Sequence, residues 1–68
     1  MKLLDTFTDI ANNVAEIKMH DSGKKISVII KHPATKRLPE EIKECVYSNM
    51  DSAYSNRWVK RILKNIKD

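Results

Sequence analysis

At 68 residues, 32% of them charged and 41% hydrophobic, the chain has room for one domain with one modest core. The formal net charge is +4 and Cys45 is the only cysteine, which argues against a disulfide-stapled secreted scaffold and for a reducing, cytoplasmic setting. The longest aliphatic run, Val28-Ile29-Ile30, is far too short to span a bilayer, and Asp5 and Asp9 interrupt the N-terminal apolar residues, so neither a membrane partner nor a secretory leader is expected.

Leu3, Phe7, Ile10, Val14 and Ile17 step by four, three, four and three, the spacing of one helical face, with Asp5, Asp9, Asn12 and Glu16 on the other side. A helix is predicted from about Lys2 to Asn12, and two continuations stay open. In one the helix runs to Lys18 and ends at the turn Asp21-Ser22-Gly23-Lys24. In the other it stops at Asn12-Asn13, weak helix formers. Ala15 to His20 is then a strand with Ile17 and Met19 inward, joined to the next strand by a hairpin turn around Ser22-Gly23.

Lys25 to Lys31 reads as a strand, because Ile26, Val28 and Ile30 alternate with Lys25, Ser27 and Lys31; Ile29 breaks the pattern. Its backbone groups need a partner, either in that hairpin or in a second copy of the chain. His32 to Leu38 is a loop, since Pro33 and Pro39 disfavour helix before them. Pro39-Glu40-Glu41 opens a second predicted helix, with proline at its first position and acids at the positive end of its dipole. Ile42, Cys45, Val46 and Ser48 or Asn49 mark the inner face of that helix. Cap-type residues predict a break near Asn49-Met50-Asp51 or Ser55-Asn56. A last helix then carries Trp58, Val59, Ile62, Leu63 and Ile66 on one face. The expected fold over residues 1–68 is a small single α+β domain: an N-terminal helix, a β-hairpin or dimer-paired strand, then two C-terminal helices.

Charge is distributed unevenly. Residues 24–38 hold five bases and no acid, residues 53–68 five bases and one acid, and the intervening and N-terminal segments are net acidic. Arg57, Lys60, Arg61, Lys64 and Lys67 recur at three- and four-residue steps opposite the apolar face of the last helix, a stripe of about 15 Å. Such a stripe suits several phosphates or an acidic protein surface. Solvation and dipole complementation are the plain alternative. Lys24, Lys25, Lys36 and Arg37 are supporting candidates, although lysines on an edge strand also protect against aggregation.

Three stretches resemble the ribbon-helix-helix pattern of small dimeric DNA-binding repressors. They are Lys24-Lys25-Ile26-Ser27-Val28-Ile29-Ile30, Leu38-Pro39-Glu40-Glu41-Ile42, and Ser55-Asn56-Arg57-Trp58-Val59-Lys60-Arg61-Ile62-Leu63. The resemblance implies a strand that pairs across a homodimer and reads bases through Lys25, Ser27 and Ile29 or Lys31. It also implies a helix starting near Ser55 that touches phosphate. The chain departs from the pattern in carrying His32 to Arg37 between strand and helix, and in having no glycine between Asn49 and Ser55.

No catalytic constellation, cofactor motif or metal-ligand spacing is legible. Gly23-Lys24 lacks the spacing of a phosphate loop, and His20 and His32 have no ligand partners at the right intervals. They read as solvated, turn-flanking residues. Cys45 reads as a small buried hydrophobe, Glu40, Glu41 and Glu44 as dipole complementation, and Trp58 as core packing, with stacking on single strands or a protein hot spot as its alternative and either role open for Tyr47 and Tyr54. The expectation is a binding protein and not an enzyme, a small nucleic-acid-binding regulator. A modulator of another protein and a self-associating assembly protein are the alternatives. Frequent lysine, isoleucine and asparagine suit a low-GC bacterium, its phages or another mobile element.

Overall fold

Backbone pairing in this chain is dominated by two adjacent strands, each with a neighbour on both sides. The computed structural model describes residues 1–66, which form four strands followed by two short helices. The strands are β1 (Lys2–Thr8), β2 (Val14–Met19), β3 (Ile26–His32) and β4 (Glu41–Tyr47), and the helices are α1 (Met50–Tyr54) and α2 (Arg57–Lys64). All neighbouring strands are antiparallel in the order β1-β2-β3-β4, and both helices follow at the C-terminus. The chain is a small α+β domain, but the expected order of N-terminal helix, hairpin or dimer-paired strand and two helices is overturned. β3 pairs along its length with β2 and β4 of its own chain, so its backbone does not call for a second copy.

The first correction is β1. A shift in register between Leu3 and Asp5 lets Leu4 and Phe7 both pack on the core while Leu3 faces away, 49% exposed. The step of four from Leu3 to Phe7 therefore matches a helix by coincidence. Ile10 does not extend the apolar face, since it lies in the following turn and is 71% exposed. Thr6, Phe7 and Thr8 suit a pleated surface better than a helix. At Asn12 the backbone takes φ 65°, the left-handed conformation that asparagine tolerates in tight turns. The open choice after Asn13 resolves to strand: Ile17 is buried and Met19 packs against the core. The hairpin to β3 closes with the Gly23 N–H donating to the His20 carbonyl at 2.8 Å, with Gly23 at φ 70°.

The second correction is β4, where a helix is expected from Pro39. Each of its seven residues pairs with β3, in register from Ile26↔Tyr47 to His32↔Glu41. Without it one side of β3 would lie unpaired, and that requirement outweighs the helix-start signature of Pro39-Glu40-Glu41. As an edge strand it is exposed on both faces apart from the half-buried Lys43 and Tyr47, so no alternation survives in its sequence. Cys45, expected to be buried, is exposed. Glu41, Lys43 and Glu44 put charges on this edge, which discourages pairing with another chain.

Cα partners share a face of an antiparallel sheet. One face carries Ala15, Ile17, Ile26, Val28 and Ile30, and the helices cover it with Ala53, Val59 and Ile62. Both helices begin at asparagines. The Asn49 side chain accepts from the Ser52 N–H at 2.8 Å, and Asn56 Oδ1 accepts from the N–H groups of Trp58 at 2.8 Å and Val59 at 3.2 Å. Asn56 also donates through Nδ2 to the Tyr47 hydroxyl at 2.9 Å, tying α2 to β4. The Tyr54 hydroxyl donates to Asp5 at 3.0 Å; burial and then this bond push the Tyr54 phenol up.

No helix covers the other face of the sheet, although Ser27 on it is fully buried. That face presents Leu3, Ile42 and Val46 beside a Glu16–Lys31 ion pair at 2.9 Å. The accessible surface is accordingly 5009 Å², against about 4,400 Å² for a typical folded monomer of this mass. Among the described residues no helix is long and apolar enough to cross a membrane.

The two architectures differ in what mutations cost. Ile42→Lys, on the uncovered face, should change unfolding free energy by less than about 0.5 kcal/mol. Ile62→Ala, in the core, should cost about 2–5 kcal/mol. Urea denaturation of both variants measures the contrast, and a strongly destabilising Ile42→Lys would contradict β4.

Candidate functional site

The antiparallel meander places the β2–β3 turn at one end of the sheet and the β1–β2 and β3–β4 connections at the other. Lys24 and Lys25 are therefore separated from Lys36 and Arg37 by the length of β3, about 20 Å. All four are exposed, but they do not form one patch. Arg57, Lys60, Arg61 and Lys64 are all exposed along α2, opposite its buried Val59 and Ile62. None of the four makes an ion pair with another described residue. Lys67 lies outside the described residues. Of the base readers that the family resemblance implies, Lys25 is exposed, Ser27 is buried, and Ile29 and Lys31 are half-buried on the central strand.

The stripe meets a feature that spacing does not reveal. Trp58 is half-buried at the start of α2, and three cations gather on its indole. Lys43 Nζ of β4 lies 4.9 Å from the ring centroid, and the guanidinium carbons of Arg61 and Arg57 lie at 5.5 and 5.9 Å. The His32 ring meets the same indole in a T-shaped contact, with centroids 4.8 Å apart and planes at 70°. Beside them opens a cleft of about 620 Å³, bounded by Ala11 and Asn13 of the β1–β2 turn and by Thr35 and Leu38 of the β3–β4 loop. Glu40 and Glu41 add carboxylates to its lining, and Glu41 pairs with Lys43 at 3.6 Å.

A short relay of hydrogen bonds orients His32. The Asp9 carboxylate, 5% exposed, accepts from the N–H groups of Ala11 and Asn13 at 2.9 Å each and from Asn13 Nδ2 at 3.0 Å. With its amide nitrogen so engaged, Asn13 turns its Oδ1 to His32 Nδ1 at 3.1 Å. Nδ1 must then donate, and the buried Nε2 has no protein partner. His20 likewise is not simply solvated, since its Nε2 lies 2.7 Å from the Ser27 hydroxyl. Burial pushes the Asp9 carboxyl up. Its bonds from the Asn13 side chain and from the backbone of Asn13 and Ala11, with the charge of nearby His32, outweigh that and hold it below the usual carboxylate range. The Lys31 partner does the same for Glu16 against the cost of its burial.

Lys43, His32 and Trp58 were not legible as one group, because they come from β4, the end of β3 and α2 and meet only through packing. The acids Glu40 and Glu41, expected at a helix start, stand instead where the loop enters β4, facing the cleft. No family model, no curated protein and no solved structure matches this chain.

Because the Asp9 and Glu16 carboxyls are depressed in the folded state, their stabilisation is complete above their unfolded-state pKa values, near 4. It is lost as pH falls through the lower folded values. Urea midpoints should therefore hold steady from pH 7 to about 5 and drop below about 4. Asp9→Asn should cost about 1–3 kcal/mol at neutral pH and make the acid limb shallower. A wild-type midpoint for Asp9→Asn at pH 7 would contradict the relay.

Proposed function

We propose that this chain is a small cytoplasmic nucleic-acid-binding regulator, a binding protein and not an enzyme, which holds phosphates through the exposed face of α2. The observation that carries the reading is the sign of the charge along that helix. Arg61 and Lys64 in the last turn complement the helix dipole, and stability alone accounts for them. Arg57 at the first helical position and Lys60 do not fit that account. They stand toward the positive end, where acids would be favoured, and the first turn carries none. The like-charged pairs Arg57–Arg61 and Lys60–Lys64, each four residues apart, cost an isolated helix about 0.2–0.5 kcal/mol apiece. A polyanion running along α2 turns these costs into attraction.

Four phosphate contacts predict that log affinity falls against log salt with a slope of about −3.6 for duplex DNA and about −2.8 for a single strand. Fluorescence anisotropy with labelled random-sequence oligonucleotides at several salt concentrations measures this. The double variant Arg61→Glu/Lys64→Glu should weaken binding at every salt concentration and flatten the slope by about two. Absence of binding at low salt, or binding that salt does not weaken, would overturn the reading and leave α2 as a solvated or protein-facing surface.

A further inference from the structure

We infer that the cleft beside Trp58 takes an unpaired nucleobase, which makes single-stranded nucleic acid the preferred ligand of the α2 stripe. The inference rests on the nucleic-acid reading of α2 and narrows it. Arg57 and Arg61 belong at once to the stripe and to the cluster on the indole, within 6 Å of its centroid. A phosphate held by these two arginines therefore lies beside the indole, and the same indole lines the cleft. Lys43 adds a third cation from a different element. Like charges brought together from β4 and α2 repel one another, and Glu41 neutralises only Lys43. An anion between them removes that repulsion.

The lining of the cleft itself carries two carboxylates, one of them paired with Lys43. Glu40 and Glu41 accept hydrogen bonds and repel phosphate, so this lining suits the donor edge of a base and not the backbone. The arginines of α2 thus stand against the indole while carboxylates line the cleft that the indole borders, and a nucleotide unit has the matching polarity of phosphate at one end and base at the other. Amino-bearing bases offer the carboxylates an N–H₂ group, which thymine lacks. The volume of about 620 Å³ lies within the ~300–1,000 Å³ usual for ligand clefts. In a duplex the base is stacked and its pairing edge is occupied. A single strand can lay one base against the indole while its phosphates follow α2.

Trp58 is the only tryptophan, so its own emission reports on the site. The full chain is titrated with a cytosine or adenine tract, a thymine tract of equal length, a duplex of that length, and polyglutamate. The expected result is saturable quenching by the single strands, strongest for cytosine and adenine tracts, and weaker quenching by duplex. Measured by anisotropy, Trp58→Leu should lower the ratio of single-strand to duplex affinity by about tenfold. Trp58→Phe, which keeps a ring, should restore most of it, with far-ultraviolet circular dichroism confirming the fold of both. Glu40→Gln/Glu41→Gln should remove the preference over thymine. Salt-sensitive duplex binding with no single-strand preference and no quenching would overturn this inference while leaving the α2 reading in place. Quenching by polyglutamate without binding of any nucleic acid would overturn both.

Discussion

The constraint on which the rest depends is that β3 needs a neighbour along each of its edges. Its inward residues Ile26, Val28 and Ile30 are the centre of the core, so its backbone cannot turn to water for hydrogen bonds. The chain supplies β2 on one side through a tight hairpin and β4 on the other through the loop that begins at Pro33. Once β4 is drawn to that edge, only the last part of the chain remains to cover the core, and two short helices do so. The cleft follows from the same arrangement. His32 ends β3, Lys43 lies opposite Ile30 on β4, and α2 sets Trp58 against both.

What could be read from the sequence is what depends on neighbours in the chain. The alternation in β3 and the turn at Gly23 are local chemistry and stand where the spacing put them. The two cap-type breaks expected as alternatives both fall at helix starts, although the helix they were to end is the strand β4. β1 and β4 were misread for different reasons. In β1 the step of four from Leu3 to Phe7 matches a helix by coincidence, since the bulge turns Leu4 and not Leu3 to the core with Phe7. In β4 the inward side is so little covered that apolar and charged residues lie on both faces, and a proline followed by two acids is a sound helix start with nothing local to contradict it. The basic stripe was legible as a stripe. Its meeting with Lys43, His32 and the two glutamates was not, since that depends on contacts between elements far apart in sequence.

The site also shows where the fold departs from what stability alone would choose. Bases toward the N-terminal end of a helix, and the mutual repulsion of three cations around one ring, work against the folded state. These charges are gathered at one end of the sheet, while the opposite end, at the β2–β3 turn, is closed by ordinary turn chemistry. Capping by Asn56 and its bond to Tyr47 hold the first turn of α2 in place despite that local repulsion.

The uncovered face of the sheet has a thermal corollary. A single covered face removes less apolar area from water per residue than a two-sided sheet, and the heat capacity of unfolding follows that area. It should fall below the usual 12–15 cal/mol/K per residue or so, which flattens the stability curve. Such a chain has a modest margin at its best temperature but loses little of it on cooling or gentle warming. It trades a high maximum for evenness.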